Sequence, residues 1–278
     1  MPSLTPGSVR DLLADHGCRP SRALGQHFLA DPNLARKIVR LADVVTGERV
    51  VEIGPGIGSL TVALAEAGAR VVALELDRHL LPVLDEVLTE AGYDDTVEVV
   101  AGDGLTVDLR SLTGGDPWAC VSNLPYNLAT PLVVRLLEEF PEMQRCLVMV
   151  QKEVGERLVA GPGTKAYGAV SVKVAYYAHA RIAGTVSATV FVPPPNVASA
   201  LVRLDRRAAP PVDVPSTDAL FALVRAGFGQ RRKTLRRSLR PTLGDRTEAV
   251  LAAAGVDAGT RAETLTLDDW ARVCREAA

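Results

Sequence analysis

The feature that most limits the possible folds of this chain is a regular alternation of short apolar runs and amphipathic segments between residues 49 and 151. Apolar runs of strand length lie at 49–53, 70–76, 96–101, 119–122 and 145–151, and helical patterns lie at 60–67, 79–91 and 131–140. Strands that alternate with helices at this spacing form a parallel sheet with helices on both faces, because each helix returns the chain to the same edge. We therefore predict an α/β fold.

The segments on either side of this alternation are predicted to be helical. Helices are expected at 5–17 and 31–44, the second with Asp31 as its N-cap. Residues 161–168 predict a loop and the proline-rich residues 207–216 a linker. Beyond the linker only helices are expected, at 217–227, 231–240, 246–254 and 266–277. We therefore divide the chain into 1–206, an α/β domain with an N-terminal helical extension, and 207–278, a small all-α domain.

Composition excludes several classes of protein but leaves the partner open. The 278 residues include 31 basic and 33 acidic side chains. The resulting net charge of −2 argues neither for nor against a nucleic-acid partner. None of the four cysteines lies in a CxxC pair or near a histidine at ligand spacing, which argues against a zinc site or a disulfide framework. The first residues lack a signal-peptide pattern, and no apolar stretch has membrane-spanning length. We expect a soluble cytoplasmic protein without a metal.

A glycine loop follows the first strand of the predicted sheet. The segment VVEIGPGIGSL places Gly54, Gly56 and Gly58 at the carboxyl edge of the sheet, where open α/β folds bind ligands. Its G-x-G-x-G spacing differs from the G-x-G-x-x-G of dinucleotide folds, and it has no phosphate-loop lysine. The preceding Glu52 would repel a pyrophosphate but suits a ligand that carries an ammonium and a sulfonium group. A plain tight turn is the alternative.

Two further acidic residues end the next two strands. Glu75 lies at the end of the second strand, where a carboxylate can accept both hydroxyl groups of a ribose. Asp103 follows the third strand, where it can accept a hydrogen bond from an adenine amino group. Alone, each would be interpreted as a solvated strand end or a helix cap. Together with Glu52 and the glycines, they predict a binding site for an adenosyl ligand.

The fourth strand ends in the motif SNLPYN at residues 122–127. An exocyclic amino nitrogen is a poor nucleophile because its lone pair is delocalised into the ring. Acceptors on both N–H groups, from the Asn123 side chain and the Leu124 carbonyl, would direct that lone pair at a methyl group. Pro125 fixes the chain direction, and Tyr126 can stack on a base that has left its helix. The motif predicts methyl transfer by orientation and electrostatics without a strong general base, and an ordinary turn is the alternative.

A basic segment lies in the C-terminal part of the chain. Residues 225–240 contain seven basic residues and no acid, which leaves a charge of −9 on the remainder of a chain whose total is −2. In the predicted helix 231–240, Arg232, Arg236 and Arg240 recur at helical spacing beside an apolar stripe of Leu235 and Leu239. Such a face binds phosphates, and a solvated charged face is the alternative. The candidate RNA-binding residues are Arg231, Arg232, Lys233, Arg236, Arg237 and Arg240.

Taken together, the motifs resemble the bacterial 16S ribosomal RNA adenine N6-dimethyltransferases, which are relatives of the rRNA methylases that confer macrolide resistance. The resemblance covers nearly the whole chain. The motifs that carry it are LGQHFL (24–29), VEIGPGIGSLT (51–61), LELD (74–77), GD (102–103), NLPYN (123–127), FVPPPNV (191–197) and GFGQRRKTLRRSL (227–239).

The resemblance implies a Rossmann-like class I methyltransferase sheet and S-adenosyl-L-methionine as the cofactor. It implies that His27 and Leu29 line the methionine and sulfonium end, and that Gly54, beside Gly56, contacts the methionine. It also implies that Glu75 binds the ribose, that Asp103 binds the adenine and that Asn123 lies at the reacting amino group. Tyr126 and Phe191 would enclose the target adenine. The implied substrate is two adjacent adenosines of 16S rRNA in an immature small ribosomal subunit, with a role in its biogenesis, and we expect a monomer.

Four alternatives stay open on the sequence alone. The first is a resistance-type methylase of large-subunit (23S) rRNA, against which the GFGQRRKTLRRSL and FVPPPNV segments argue. The second is a DNA adenine methyltransferase, which would need a separate target-recognition region. The third is a binding-only assembly factor, and the fourth is a transcription-associated nucleic-acid binder that kept the fold. The intact NLPYN motif argues for catalysis over the last two.

Overall fold

The computed structural model describes residues 4–278, which form two compact units. Unit 1 comprises the described residues up to Gly155 together with Arg181–Arg206, and unit 2 comprises Glu156–Ala180 together with Arg207–Ala278. The predicted change near residue 206, from an α/β pattern to helices only, coincides with one boundary between the units. Residues 156–180 nevertheless belong to unit 2 and not to the α/β part in which the sequence-based division placed them. The reason is that Tyr167, Val172 and Tyr176 are buried in the core of unit 2.

Unit 1 contains the predicted alternation in the predicted order. Up to residue 151 the elements are α1 (Pro6–Asp15), β1 (Phe28–Leu29), α2 (Pro32–Leu41), β2 (Arg49–Ile53), α3 (Ser59–Glu66), β3 (Arg70–Glu75), α4 (Leu81–Ala91), β4 (Val97–Ala101), α5 (Leu109–Thr113), β5 (Trp118–Asn123), α6 (Ala129–Glu139) and β6 (Met143–Gln151). Asp31 caps α2 as predicted, because its carboxylate accepts hydrogen bonds from the N–H groups of Asn33 and Leu34.

The later elements alternate between the two units. They are α7 (Lys152–Val159), α8 (Ala169–Tyr177), β7 (Ala178–Val186), β8 (Phe191–Val192), β9 (Ser199–Arg206), α9 (Thr217–Gly229), α10 (Leu235–Leu243), α11 (Thr247–Ala253) and α12 (Leu267–Ala277), with three short 3₁₀ turns between them. The sequence did not predict β1, β7, β8 or β9. None of them belongs to the strand–helix alternation from which the other strands were inferred.

The central sheet has seven strands in the order β4-β3-β2-β5-β6-β9-β7. The strands from β4 to β6 pair in parallel, and β9 pairs antiparallel with β6. The sheet is therefore mixed rather than purely parallel as predicted. Its strand order reverses between β2 and β5, and the loops that follow these two strands diverge at their carboxyl ends. This reversal creates the crevice in which open α/β sheets bind ligands.

A second, two-stranded ribbon lies beside the main sheet. In it β1 pairs antiparallel with β8, so that Phe28 lies opposite Val192 and Leu29 opposite Phe191. All four side chains are buried in the core of unit 1. The ribbon thus connects the LGQHFL and FVPPPNV segments, which are more than 160 residues apart in the chain.

Unit 2 is a helical bundle with a core of its own, which agrees with the predicted C-terminal all-α part. Trp270 of α12 is fully buried there and packs closely on α9, where a Cβ on Gly227 would lie 2.4 Å from its ring. The predicted loop at 161–168 has neither helix nor strand. Its Tyr167 is buried and donates its hydroxyl hydrogen to the Leu265 carbonyl at 2.9 Å.

The helix in the basic segment begins later than predicted. The sequence pattern placed a helix at 231–240, but α10 starts at Leu235 because Thr234 has an extended N-cap conformation. The N–H groups of Leu235 and Arg236 donate to the carbonyls of Thr260 and Ala258, at 2.8 and 3.1 Å. These carbonyls satisfy the exposed donors of the first turn and fix the helix start.

No helix within residues 4–278 has both the length and the apolar character needed to cross a membrane. The four cysteines are free thiols, three of them buried and Cys18 half-buried. This agrees with the expectation of unpaired, mostly buried thiols.

Candidate functional site

A cleft opens in unit 1 at the point where the strand order reverses. It contains about 910 Å³ of space, part of it open to solvent. Its walls come from the loops after β2, β3, β4 and β5 and from residues 24–29. All the predicted cofactor residues and all but one of the predicted catalytic residues line it: His27, Leu29, Gly54, Gly56, Glu75, Asp103, Asn123, Leu124, Pro125 and Tyr126. The exception is Phe191.

The glycine loop brings the backbone close to the other walls of the cleft. Gly54 has a φ of +73°, and a Cβ at this position would lie 3.4 Å from the Pro125 ring. Gly56 has a φ of +60°, and a Cβ there would lie 2.9 Å from the Phe28 ring. The left-handed backbone favours glycine at both positions, and the close approach of the Phe28 ring also excludes a side chain at Gly56.

Glu75 is fixed at the end of β3 by two backbone donors. Its Oε2 accepts from the Gly56 N–H at 2.9 Å, and its Oε1 accepts from the Asp77 N–H at 2.8 Å. Burial raises the pKa of this carboxyl, and the backbone hydrogen bonds oppose the rise. Each oxygen retains a lone pair, so the carboxylate can still accept donors from a ligand.

Asp103 lies after β4 and is half-buried. Its Oδ1 accepts from the Leu105 N–H at 2.8 Å, which anchors the side chain to its own turn. Within the described residues Oδ2 has no hydrogen-bond partner. That oxygen can accept a hydrogen bond from a ligand in the cleft.

Glu52 is the most deeply buried acid of the cleft, with 1% of its surface exposed. Burial raises the pKa of Glu52 to about 8. The nearby Thr61 hydroxyl opposes this rise, and the charge of Glu75 adds to it by a smaller amount. The contact with Thr61 does not reach hydrogen-bond geometry, and Glu52 Oε2 has no partner among the described residues. A buried acceptor without a partner is costly, and it marks this wall of the cleft as suited to a donor or a cation.

Asn123 ends β5 with its amide group held in one orientation. Its Nδ2 donates to the His27 carbonyl at 3.0 Å. Its Oδ1 is buried and accepts no hydrogen bond from the described residues. Because the nitrogen is committed to His27, the oxygen is the side of the amide that remains available as an acceptor in the cleft.

Residues 21–29 form a strap that connects two walls of the cleft. Gln26 donates from Nε2 to Asp77 Oδ2 at 2.8 Å on the β3 side, and Asn127 donates to the Ala23 carbonyl at 3.1 Å on the β5 side. His27 Nδ1 lies 2.7 Å from the Pro193 carbonyl, and it must donate because a carbonyl only accepts. Gln26 was not predicted from the sequence, since a loop glutamine gives no local sign of its distant partner.

The aromatic residues of the site are not arranged as the resemblance implied. The Tyr126 ring is half-buried in the cleft and lies 5.1 Å from the His27 ring, with an angle of 33° between their planes. Phe191 is 2% exposed and belongs to the core of unit 1. It is not among the residues that line the cleft, although its partner across the ribbon, Leu29, is one of them. The structure therefore does not bring Phe191 and Tyr126 to opposite sides of a base, and stacking by Phe191 stays a prediction.

The six candidate RNA-binding residues of the basic segment are all exposed, but they do not form one helical row. Arg231, Arg232 and Lys233 precede α10, whereas Arg236, Arg237 and Arg240 lie on it. The predicted spacing of Arg232 with Arg236 and Arg240 on one helix is therefore wrong. The predicted apolar stripe is confirmed, because Leu235 and Leu239 are fully buried.

Half of these cations already have acidic partners. Arg231 pairs with Glu263 at 3.2 Å, Arg236 with Glu248 at 3.1 Å and Arg240 with Asp245 at 3.5 Å. No ion pair within residues 4–278 involves the other three, which are Arg232, Lys233 and Arg237. These three are the cations most readily available to an anionic partner.

Comparison with known proteins gives a single family. A family model for ribosomal RNA adenine dimethylase matches residues 19–278. The chain is 47% identical over 274 residues to a ribosomal RNA small subunit methyltransferase A of Thermobifida fusca, with 97% of this chain and 94% of that protein covered. It is 48% identical over 274 residues to the protein of the same name from Leifsonia xyli, with 97% of each covered.

Two solved structures are similar to the whole fold. A dimethyladenosine transferase from Plasmodium falciparum matches with a TM-score of 0.73 and 24% identity, over 89% of this chain and 96% of the other. The 23S rRNA methyltransferase ErmE matches with a TM-score of 0.68 and 28% identity, over 90% and 98%. The first likeness supports the class I α/β fold with a helical C-terminal part.

Proposed function

We propose, from the premise that this chain belongs to the ribosomal RNA adenine dimethylase family, that it dimethylates N6 of two adjacent adenosines in small-subunit (16S) ribosomal RNA. Curated relatives at 47% and 48% identity are named as small-subunit methyltransferases. The family and these names support the enzyme class and the RNA. The geometry of the cleft supports the chemistry.

The observation that carries the chemical part of the proposal is the free Oδ1 of Asn123. This oxygen is buried, accepts no bond within the described residues, and belongs to an amide whose nitrogen is tied to His27. An amino group that enters the cleft can donate to it. With the Leu124 carbonyl as the second acceptor, the nitrogen would become pyramidal and expose its lone pair. No residue needs to act as a strong base, because the nitrogen becomes acidic only after it has accepted a methyl group.

We propose S-adenosyl-L-methionine as the cofactor because the acids of the cleft fit its donors. When bound, it supplies a methyl group on a positively charged sulfur. The buried Glu52 Oε2 has no partner, so the wall beside the glycine loop suits a cationic group. Glu75 presents a carboxylate fixed by Gly56 and Asp77 to a pair of hydroxyls. Asp103 Oδ2 can accept from the amino group of an adenine. His27, Leu29 and Gly54 would enclose the methionine end, and Gly56 would hold Glu75 in place.

The remaining residues of the motif would hold the target base. Pro125 packs beside Gly54, which places the loop after β5 against the glycine loop. Tyr126 offers a ring face in the cleft for stacking on an adenine that has left its helix. Stacking of Phe191 on the same base stays a prediction, because Phe191 is 2% exposed and does not line the cleft.

We propose that the basic segment of unit 2 holds the RNA through its phosphates. Arg231, Arg232, Lys233, Arg236, Arg237 and Arg240 are all exposed, and exposed cations bind a phosphate backbone without reading sequence. Recognition of the RNA would then depend on its shape and on unstacked bases.

The finer parts of the proposal concern the particle. We propose that the substrate is 16S rRNA within an immature small subunit in the cytoplasm, and that the enzyme works as a monomer with a role in subunit biogenesis. Bacterial relatives named for the small subunit support the particle. A large-subunit methylase is the second candidate, because the 23S rRNA methyltransferase ErmE has a similar fold. Its 28% identity against 47% and 48% for the small-subunit relatives favours the first.

The decisive experiment is the transfer of radiolabelled methyl groups from S-adenosyl-L-methionine to immature small subunits that lack adenosine dimethylation. Large subunits from a strain without the resistance methylation serve as the parallel substrate, and nucleosides are analysed afterwards. We expect N6,N6-dimethyladenosine in the small subunits alone. Label in the large subunits only would establish the second candidate. Cofactor binding without label in either particle would establish a binding-only factor.

A further inference from the structure

We propose that Ser199 is a positioning residue for methyl transfer: its hydroxyl holds the Tyr126 ring in the orientation that receives the target adenine. This inference rests on the proposed function, in which Tyr126 stacks on that base. Neither residue of the pair suggests the other in the sequence, since they are 73 positions apart.

The contact between the two side chains is short and shielded. Tyr126 Oη lies 2.5 Å from Ser199 Oγ, and either hydroxyl can donate. Ser199 is completely buried, with 0% of its surface exposed. Burial also raises the pKa of the Tyr126 phenol, so the phenol keeps its proton at neutral pH. A hydrogen bond that excludes water is stronger and more directional than one on the surface.

The sheet topology explains how Ser199 reaches the site. Ser199 is the first residue of β9 and lies opposite Gln151, the last residue of β6. Because β9 runs antiparallel to the strands that carry the site, its first residue lies at their carboxyl edge. Tyr126 follows β5 at the same edge, one strand beyond β6. The added antiparallel strand therefore contributes a side chain to the site through its start.

The bond to Ser199 complements the contact of the Tyr126 ring with His27. The His27 ring lies 5.1 Å away at an angle of 33°, and it borders the ring without fixing its rotation. The hydroxyl is the part of the ring farthest from the backbone, so a bond there restricts both side-chain torsions. Misplacement of a reacting group by about 1 Å can cost about 10²-fold in rate. A loosened Tyr126 would present the adenine in a wider range of orientations to Asn123.

The test is a double-mutant cycle on the full chain, with methyl transfer to immature small subunits measured in the steady state. We expect Ser199→Ala and Tyr126→Phe each to lower kcat by about tenfold, because both remove the same bond. The double variant should be no slower than either single variant. Cofactor affinity should not change, and Ser199→Thr, which keeps the hydroxyl, should recover most of the lost kcat. Additive losses in the double variant, or wild-type kcat in Ser199→Ala, would overturn the proposal.

Tyr167→Phe is the matched control. It removes the hydroxyl of a buried tyrosine in unit 2, whose partner is the Leu265 carbonyl at 2.9 Å. This variant reports what the loss of one buried hydroxyl does to the fold. We expect a similar decrease in stability and an unchanged kcat.

A second measurement does not depend on turnover. An RNA fragment that carries 2-aminopurine at the target adenosine is quenched when the base stacks on an aromatic ring. We expect stronger quenching with the wild type than with Ser199→Ala at saturating protein, and equal quenching in the two would overturn the proposal. Normal quenching without any methyl transfer by the wild type would instead reject the proposed function, and Ser199 would then orient a bound base without serving methyl transfer.

Discussion

The cleft of unit 1 and the basic segment of unit 2 use polar groups in opposite ways. In the cleft, Glu75 has both carboxylate oxygens on backbone donors and Asn123 has its amide nitrogen on a carbonyl. In the basic segment, the six candidate RNA-binding cations are all exposed, and the three ion pairs that they form lie on the surface. The first region fixes individual atoms before a ligand arrives. The second offers positive charge without fixed geometry.

The difference follows from what each region has to do. Orientation and electrostatic stabilisation at a reacting atom require groups that do not reorganise during the reaction. Attraction of an RNA backbone requires only that cations are accessible. Exchanging one atom in the cleft should therefore have a large effect on stability, rate or cofactor binding. The basic segment should bind RNA equally well after changes that preserve its charge. The variants below test this contrast, from the largest expected effect to the smallest.

Glu52 should make the stability of unit 1 fall as pH rises. Its pKa is about 8 in the folded protein and 4.5 is its ordinary value, so between these values the folded state binds more protons than the unfolded state. The free energy of unfolding then decreases with pH across this window, by at most about 5 kcal/mol. Glu52→Gln cannot titrate and should remove that part of the slope in denaturant unfolding from pH 4.5 to 8.

The control is Glu90→Gln, the same exchange at an exposed position on α4, which should leave the slope unchanged. Addition of S-adenosyl-L-methionine should reduce the slope of the wild type, because a nearby cation favours the carboxylate. An identical pH dependence for the wild type and Glu52→Gln would show that Glu52 is ionised in the fold. Glu52 would then not be a neutral acid buried in the wall of the cleft.

Asn123→Ala should lower the rate of methyl transfer by about 10²–10³-fold, the usual cost of losing one preorganised group at a reacting atom. Cofactor affinity, measured by calorimetry, should remain within about tenfold of the wild type. Asn127→Ala is the matched control, because this neighbouring asparagine also donates to the strap, at 3.1 Å from the Ala23 carbonyl. Asn127→Ala should lower the rate of methyl transfer far less than Asn123→Ala does. Turnover at the wild-type level in Asn123→Ala would exclude Asn123 as the acceptor.

The contrast also explains how far the sequence could predict the site. Glu75, Asp103 and Asn123 each lie at the carboxyl end of a strand of the alternating region, and the carboxyl ends of parallel strands meet at one edge. Their shared location therefore followed from the local pattern alone. The resemblance added His27 and Leu29, which belong to a strap and a two-residue strand without a periodic signal.

What the sequence could not predict depended on contacts between distant segments. The contact of Ser199 with Tyr126 depends on an antiparallel strand that no periodicity predicted, and Phe191 of the ribbon is buried in the core of unit 1. The start of α10 was misplaced because carbonyls at 258 and 260 cap it, whereas the local pattern favoured an earlier start. In each case tertiary contacts decide what the neighbouring residues leave open.

Glu75→Gln should weaken cofactor binding by about 30-fold, which corresponds to the loss of one charge-assisted hydrogen bond. The amide keeps the shape of the side chain but replaces one acceptor oxygen with a donor. That donor would face the N–H of Gly56 or Asp77, both of which now donate to the carboxylate. Calorimetry with S-adenosyl-L-methionine measures the change, and the rate at saturating cofactor should fall by much less. Unchanged affinity would remove Glu75 from the binding site.

The smallest effects are expected in the basic segment, where two triple variants separate direct contact from general attraction. Arg232, Lys233 and Arg237 have no ion pair within residues 4–278, whereas Arg231, Arg236 and Arg240 are each paired with an acid. Replacing either set with glutamine removes three positive charges, so long-range attraction changes equally. An arginine that is already paired must give up its partner before it binds a phosphate, at a cost of up to about 1 kcal/mol.

We therefore expect the unpaired set to make most of the phosphate contacts. The logarithm of the RNA-binding constant K falls as the logarithm of the salt concentration rises. Replacing the unpaired set should make this slope shallower by about 2, and replacing the paired set should make it shallower by less than about 1. Affinity for an rRNA fragment, measured at several salt concentrations, gives both slopes. Arg232→Lys with Arg237→Lys should bind as the wild type does, since a phosphate contact needs charge more than shape. Strong loss in that conservative variant would show that the basic segment, like the cleft, depends on fixed geometry, and the contrast between the two regions would disappear.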